Sequence, residues 1–194
     1  MMSRMEPADM IAAVATMQKQ TGRTLDEWVD LMRHAGLDPL QKNDVRRWLK
    51  DVHGVPQNTQ WAIADAAARR AGWVEPTPED YADTMYAGSK ASLRPLHDGV
   101  VALAVGLGED CAAEGRSTYT PVVRRTQFAA VAPGPHGTLR VGFRFRTTVP
   151  ADDRLSEANG FAQSSHWLHL DADSDENDVR SLEPLLQAAY DQNG

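Results

Sequence analysis

The segment from Thr138 to Thr147 alternates apolar and basic side chains, a two-residue period typical of a β-strand with two unlike faces. Its apolar side chains are Leu139, Val141, Phe143 and Phe145, and its basic ones are Arg140, Arg144 and Arg146. The pattern predicts a strand that turns its apolar face to a core. The opposite face is predicted to carry a positive patch toward water or a ligand.

Basic charge is concentrated around this strand. Seven arginines and two carboxylates lie between Arg116 and Arg154, although the formal net charge of the chain is −7. This stretch therefore carries +5 and the remainder −12. The acidic pI of about 5.3 argues against a general polyanion binder, because most of the chain would repel phosphate.

Length and composition indicate a globular protein with one large or two small domains, since the chain has 194 residues of which 42% are apolar. The stretch from Met1 to Gln18 has no unbroken apolar run, so we expect neither a signal peptide nor a membrane span, and a cytoplasmic location. The single cysteine, Cys111, excludes a disulfide or a thiolate metal cluster within one chain. The sequence indicates no cofactor, and it leaves the oligomeric state open.

Residues 8 to 71 predict four short helices separated by glycine stops, and we expect a helical bundle domain over residues 1–72. The second helix begins at Thr24 with a capping box completed by Glu27, and it ends at Gly36. On spacing alone, three tryptophans are expected in the bundle core: Trp28, Trp48 and Trp61. The prolines of residues 72–80 mark the domain boundary, and Thr77 is expected to begin the next helix.

Residues 78–194 predict an α+β domain. Two helices are expected, one over residues 78–86 and a longer one that ends near residue 107. The longer helix either begins near Ser92 or is kinked at Pro95. Strands are predicted at residues 117–125, 127–132, 138–147 and 165–170, the middle two joined as a hairpin by the turn 133–137. A last helix begins near Ser174 or Asp175. The expected architecture is a four-helix bundle followed by a two-layer α/β sandwich with a four-stranded, mainly antiparallel sheet.

The candidate ligand-binding site is built on the arginine face. We expect these guanidinium groups to converge on an anionic group, with Phe128 or Trp167 as an apolar wall. A second possibility is a cleft between the two domains, walled by aromatic side chains. The candidate residues are Arg124, Arg125, Phe128, Arg140, Arg144, Arg146, Trp167, Trp73, Tyr86 and Lys90. The alternative interpretation, without a binding function, is that the strand arginines only keep the sheet soluble and prevent edge pairing.

Catalytic and metal sites are not indicated. His166 and His169 are expected to project to opposite faces of a strand, so they cannot share an ion. The carboxylates after Asp171 lack the glycine and the last glutamate of a calcium loop, and they fit the start of a helix better. No nucleophile elbow surrounds Ser164 or Ser165.

Several segments resemble known families. The block Thr21–Trp28, followed by Trp48-Leu49-Lys50 and His53-Gly54-Val55, resembles a bacterial N-terminal helical domain of unknown function. The second part resembles an uncharacterised bacterial domain that commonly follows it, at Tyr86–Lys90, Leu107-Gly108, Arg124–Ala129 and Ala188-Ala189-Tyr190. The N-terminal module also resembles that of actinobacterial proteins that protect their hosts from enediyne antibiotics, which implies a role in drug protection. Lys90 and Tyr86 are candidates through this family motif.

Three functions are compatible with these features. The first is a non-catalytic protein that binds a small anionic or aromatic ligand, with antibiotic binding as a special case. The second is a nucleic-acid accessory protein that uses the arginine face. The third is an enzyme whose site is assembled from distant residues, for example His166 or His169 with Asp171. The sequence favours the first, and it indicates no membrane partner.

Overall fold

The structure, a computed structural model, describes residues 16–194. The chain divides into two compact units, Met1–Glu75 and Pro76–Gly194. None of the described helices is long and apolar enough to cross a membrane.

The first unit consists of helices. Residues 16–21 are helical, and three helices follow: α1 at Leu25–His34, α2 at Lys42–Asp51 and α3 at Gln57–Arg70. The capping box of Thr24 and Glu27 is confirmed, and Gly36 ends α1 at a φ of 70°. The first predicted helix begins outside the described residues, so the four-helix bundle stays a prediction.

Large apolar side chains form the core of this unit. Trp28, Met32, Val45, Leu49 and Ile63 are fully buried and pack together. The prediction that Trp61 belongs to this core is wrong, because 38% of this residue is exposed. Its ring is covered instead by the guanidinium of Arg46, whose central carbon lies 3.2 Å from the ring centroid. Stacking against a cation therefore replaces burial in the core.

The second unit begins with helices. Helix α4 spans Pro78–Met85 and begins with a capping box between Thr77 and Asp80, which confirms the predicted start. A 3-10 helix at Gly88–Leu93 leads into α5 at Arg94–Val105. Pro95 lies in the first turn of α5, where its missing N–H costs no helical hydrogen bond, so no kink is needed.

The predicted single C-terminal helix is wrong in one respect. The structure has two helices, α6 at Glu176–Arg180 and α7 at Glu183–Asp191. Pro184 lies in the first turn of α7, and a proline there cannot continue the hydrogen-bond ladder of a preceding helix. Val179, Leu182, Leu186 and Ala189 of these two helices all lie in the core.

The sheet is antiparallel and has six strands in the order β1-β2-β3-β4-β6-β5. The prediction of four strands is too low, because two edge strands of two residues each are too short to show an alternating pattern. The predicted hairpin between β3 and β4 is confirmed. The strands are β1 at Ala112–Ala113, β2 at Thr120–Val123, β3 at Gln127–Pro133, β4 at Leu139–Phe143, β5 at Ser156–Glu157 and β6 at His166–Leu170.

Helices α5 and α7 pack against the central strands of this sheet. Val131, Val141 and Leu168 are neighbours across β3, β4 and β6, and all three are buried in the core with Val100 of α5 and Leu186 of α7. The second unit is therefore an α+β domain, and the inner face of its sheet and the facing helices form one core.

A polar network lies inside this core. His97 of α5 and Thr120 of β2 are each 3% exposed, and His97 Nε2 lies 2.9 Å from the Thr120 hydroxyl. His97 Nδ1 lies 2.8 Å from a carboxylate oxygen of Asp98, which Arg94 also contacts. The ring of Tyr86 packs against His97, with 4.7 Å between the centroids. Because burial lowers the pKa of His97, its imidazole is neutral at pH 7.

Removal of the Thr120 hydroxyl tests this network. We expect Thr120→Val to lower the free energy of unfolding by about 1–3 kcal/mol, because His97 Nε2 loses its buried partner. Urea denaturation measures the change, and Thr118→Val, at an exposed position two residues away, is the matched control. Equal stability of the two variants would show that the bond contributes nothing.

The same histidine predicts how stability depends on pH. The folded-state pKa of His97 lies below its ordinary value, so the unfolded chain takes up a proton first as the pH falls. The contribution of His97 is present above about pH 6.5 and is lost as the pH falls toward the folded-state pKa. We expect His97→Gln to flatten the curve of unfolding free energy between about pH 7 and 5. An unchanged slope would contradict this.

Candidate ligand-binding surface

The register of β4 and β6 places three polar or aromatic side chains on the outer face of the sheet. Arg140 lies opposite His169, and Gly142 lies opposite Trp167, whereas Val141 and its neighbour Leu168 point into the core. Paired residues of adjacent strands share a face, so Arg140, Trp167 and His169 lie together on the side away from the core.

Arg140 is held by rings and by a histidine. Its Nε donates a hydrogen bond to His169 Nε2 at 3.2 Å. Its central guanidinium carbon lies 4.7 Å from the ring centroid of Trp167 and 5.1 Å from that of Phe161. Within residues 16–194, Arg140 forms no ion pair with a carboxylate. Its charge is therefore not neutralised locally, and the N–H groups of its two terminal nitrogens remain available to an anion.

His169 must be neutral for this contact to exist, because a protonated imidazole has no lone pair to accept from Arg140. Burial and the positive charge of Arg140 lower the pKa of His169, in that order of importance. At pH 7 the ring therefore accepts at Nε2 and carries its proton on Nδ1. This hydrogen bond holds the Arg140 guanidinium near the two aromatic rings.

Phe161 reaches this surface because residue 142 is a glycine. A Cβ atom at Gly142 would lie 2.2 Å from the Ser164 hydroxyl and 2.9 Å from the Phe161 ring. The loop over Gly142 turns through Ala162 and Gln163, which have positive φ values of 47° and 60°. Such values cost side-chain-bearing residues about 1–2 kcal/mol each. The side-chain amide of Gln127 donates to the Ala162 carbonyl and holds the turn.

The aromatic row extends beyond these residues. The Tyr119 ring lies 6.0 Å from that of Phe161, and the Trp167 ring lies 6.0 Å from that of His169. We call the group Tyr119, Arg140, Phe161, Trp167 and His169 the Arg140 surface. The Ser164 hydroxyl, buried beneath its loop, forms no hydrogen bond within residues 16–194.

The other predicted arginines contact different residues. Arg124 donates to Asp110 at 2.8 Å and stacks on Tyr190, and this carboxylate raises the pKa of Arg124. Arg125 is exposed in the turn after β2. Arg146 donates to Asn193 Oδ1 at 2.7 Å, and burial together with Arg146 lowers the pKa of Arg144. The five arginines therefore do not converge on one group.

The predicted strand over residues 138–147 is too long, and Arg144 and Arg146 lie beyond its observed end. Regular pairing ends at Phe143. The backbone N–H of Phe145 donates to the Ser165 hydroxyl, and those of Arg146 and Thr147 donate to Gln192 Oε1. Side chains satisfy this backbone in place of a neighbouring strand, so regular pairing does not reach Arg146, although Phe145 is still buried and stacks on Phe143.

The remaining candidates lie elsewhere. Phe128 is fully buried in the core and packs edge-on against Tyr190. Tyr86 is also buried, and burial raises its pKa. Lys90 is exposed on the 3-10 helix. Trp73 belongs to the first unit, where Lys42 Nζ lies 3.1 Å from its ring centroid. Of the ten candidates, Arg140 and Trp167 come together.

Sequence reasoning did not assign Tyr119, Phe161 or His169 to the ligand site. His169 could have been found, because it follows Trp167 by two residues and so shares its face of β6. His166 lies on the opposite face, as predicted. Tyr119 and Phe161 lie outside regular strands, where no periodicity locates a side chain.

Comparison with protein families gives its longest match in the second unit. Residues 82–193, more than half of the chain, match the family described as Domain of unknown function (DUF5655). The chain belongs to this family. The Arg140 surface lies entirely within its DUF5655 region.

Residues 10–68 match Domain of unknown function (DUF4287), so the DUF5655 region is preceded by a second domain of unknown function. Neither description assigns a function, and these comparisons give no resemblance to enediyne self-resistance proteins. No curated protein and no solved structure matches the chain.

The fit of the loop over Gly142 gives a testable prediction for the DUF5655 region. We expect Gly142→Ala to lower the free energy of unfolding by about 1–3 kcal/mol, because the new methyl group overlaps Ser164 and Phe161. The control is Gly99→Ala in α5, where a Cβ has an ordinary contact of 3.4 Å. This control should stabilise the helix by roughly 0.5–1 kcal/mol. Chemical denaturation measures both, and changes of the same sign would contradict the prediction.

Proposed function

We propose that this protein binds, without converting it, a small molecule that carries an anionic group next to an aromatic ring. The observation that supports this most is Arg140, a cation without a carboxylate partner in the described residues, whose guanidinium lies over the rings of Phe161 and Trp167. A guanidinium in this setting can donate two parallel hydrogen bonds to a carboxylate or phosphate. An aromatic ring of the ligand can then pack along Trp167 or Phe161.

A catalytic function has less support. His97 lies between Asp98 and Thr120 in the order of an acid, a base and a nucleophile. Both His97 and Thr120 are almost completely buried, however, so a substrate would have no access to the hydroxyl. At the Arg140 surface, His169 Nε2 is already occupied as an acceptor, which favours a positioning role over general base catalysis.

Nucleic-acid binding also has less support. That alternative needs several arginines along one sheet face, and the partners of Arg124 and Arg146 are Asp110 and Asn193. Arg140, with its aromatic neighbours and without a second arginine beside it on the Arg140 surface, fits one small ligand better than a row of phosphates.

The class of ligand includes aromatic antibiotics, and we propose drug binding or self-resistance in the cytoplasm as one form of this function. This form rests on the expectation drawn from the sequence of the segment Thr21–Trp28, and the family comparisons add no support to it. A panel of such antibiotics therefore belongs beside simple aromatic anions in a binding screen.

Isothermal titration of the full chain with matched ligand pairs tests the proposal. The anions are indole-3-acetate and phenyl phosphate, and their neutral counterparts are indole-3-acetamide and phenol. We expect the wild type to bind at least one anion more tightly than its neutral counterpart. Arg140→Gln should weaken that binding roughly 10- to 100-fold, since a charged hydrogen bond contributes about 1.5–3 kcal/mol.

Arg125→Gln is the matched control, because Arg125 is exposed and lies outside the Arg140 surface. Trp167→Leu should weaken the binding of the aromatic anions. It should leave the ratio between the affinities for the anion and for its neutral counterpart unchanged. Equal affinity for both members of each pair, or an Arg140→Gln variant that binds as the wild type does, would refute the proposal. A steep loss of oligonucleotide binding with salt would favour the nucleic-acid alternative.

A further inference from the structure

Helix α2 presents a second cationic surface, in the unit that does not contain the Arg140 surface. Asn43, Arg46, Arg47 and Lys50 are spaced three, four and seven residues from the first, so they share one side of the helix. Together with Gln60 of α3 they line a shallow, open cavity of about 330 Å³. The lining therefore consists of three cations and two amides.

Two of these cations are not neutralised by neighbours. Arg47 forms an ion pair with Asp44 at 3.4 Å, with both side chains largely exposed. Within residues 16–194, neither Arg46 nor Lys50 forms an ion pair with a carboxylate. Cations this close repel one another unless a counter-charge lies between them, so the cavity favours an anion.

Arg46 is held in place by its neighbours. Its guanidinium stacks on Trp61, and its Nη1 donates to Asn43 Oδ1 at 3.2 Å. The amide of Gln60 is fixed as well, because its Nε2 donates to the Val55 carbonyl at 2.6 Å. Since Asn43 accepts from Arg46 through its oxygen, its own N–H groups remain available as donors. Side chains that are already ordered lose little entropy when a ligand binds.

The cationic cluster on α2 lies in a unit whose formal net charge is zero. Residues 1–75 contain ten basic and ten acidic side chains, so this unit is neutral and the net charge of −7 belongs to residues 76–194. The positive charge at α2 is therefore a local arrangement in a neutral unit, and it is not diluted by a general acidic surplus.

We propose that the α2 cavity binds the phosphate group of a small phosphorylated molecule. A phosphomonoester carries a charge of about −1.5 to −2 and three acceptor oxygens, which match several cationic donors better than a single carboxylate does. A volume near 330 Å³ lies at the lower end of small-molecule sites. This size accommodates a compact ligand.

The experiment uses the full chain and two probes, inorganic phosphate and adenosine monophosphate, so that a free anion and a phosphate ester are distinguished. Binding is followed by isothermal titration and by the indole N–H signal of Trp61, which lies against Arg46. We expect saturable binding of at least one probe. Lys50→Gln and Arg47→Gln should each weaken it about tenfold or more.

The matched control is Lys19→Gln, because Lys19 is an exposed lysine of the same unit outside the cavity lining. Lys50 forms no side-chain bond in the described residues, so its substitution leaves folding intact, and thermal melting verifies this. Arg46→Lys keeps the charge but loses the planar stack on Trp61, and it should bind more weakly than the wild type.

Three results would overturn the proposal. One is the absence of saturable binding at millimolar concentrations of either probe. Another is equal affinity of the wild type and Lys50→Gln. The third is a single-stranded oligonucleotide that binds more tightly than the monophosphate, with a steep salt dependence that Lys50→Gln reduces, because this would assign the cavity to nucleic acid.

Discussion

The antiparallel register of β3, β4 and β6 is the constraint on which the second unit depends. It places Val131, Val141 and Leu168 side by side under α5 and α7. The same register leaves Arg140 and its neighbours on the opposite face. A slip by one residue would bury the guanidinium and expose the valines, so the burial that stabilises the domain also positions the proposed ligand surface.

Sequence periodicity predicted most of this architecture because helices and central strands have strong local signals. The capping boxes of α1 and α4 and the hairpin between β3 and β4 were all predictable from short segments. The failures have physical causes. Trp61 has core spacing, yet Arg46 from another helix covers it. A helical period cannot reveal such a contact, because it depends on how two helices meet.

Only part of the Arg140 surface was predictable from the sequence. Arg140 and Trp167 belong to strands, so alternation gives their faces. Phe161 belongs to a loop whose course depends on Gly142 and on two residues with positive φ. The prediction for Arg146 failed because Gln192, which is distant in sequence, takes the hydrogen bond of its backbone N–H in place of a neighbouring strand. Pattern reasoning therefore succeeds where the backbone repeats and fails where side chains determine the path of the chain.

Gly142 has a consequence for comparison between members of the family. A side chain at this position and a phenylalanine beside the strand arginine exclude one another, because both would occupy the same space. The residue at this one position can therefore serve as a diagnostic marker across the family. Members that carry a bulkier residue there should route the loop that carries Phe161 differently, and the shape of their outer sheet face should differ accordingly.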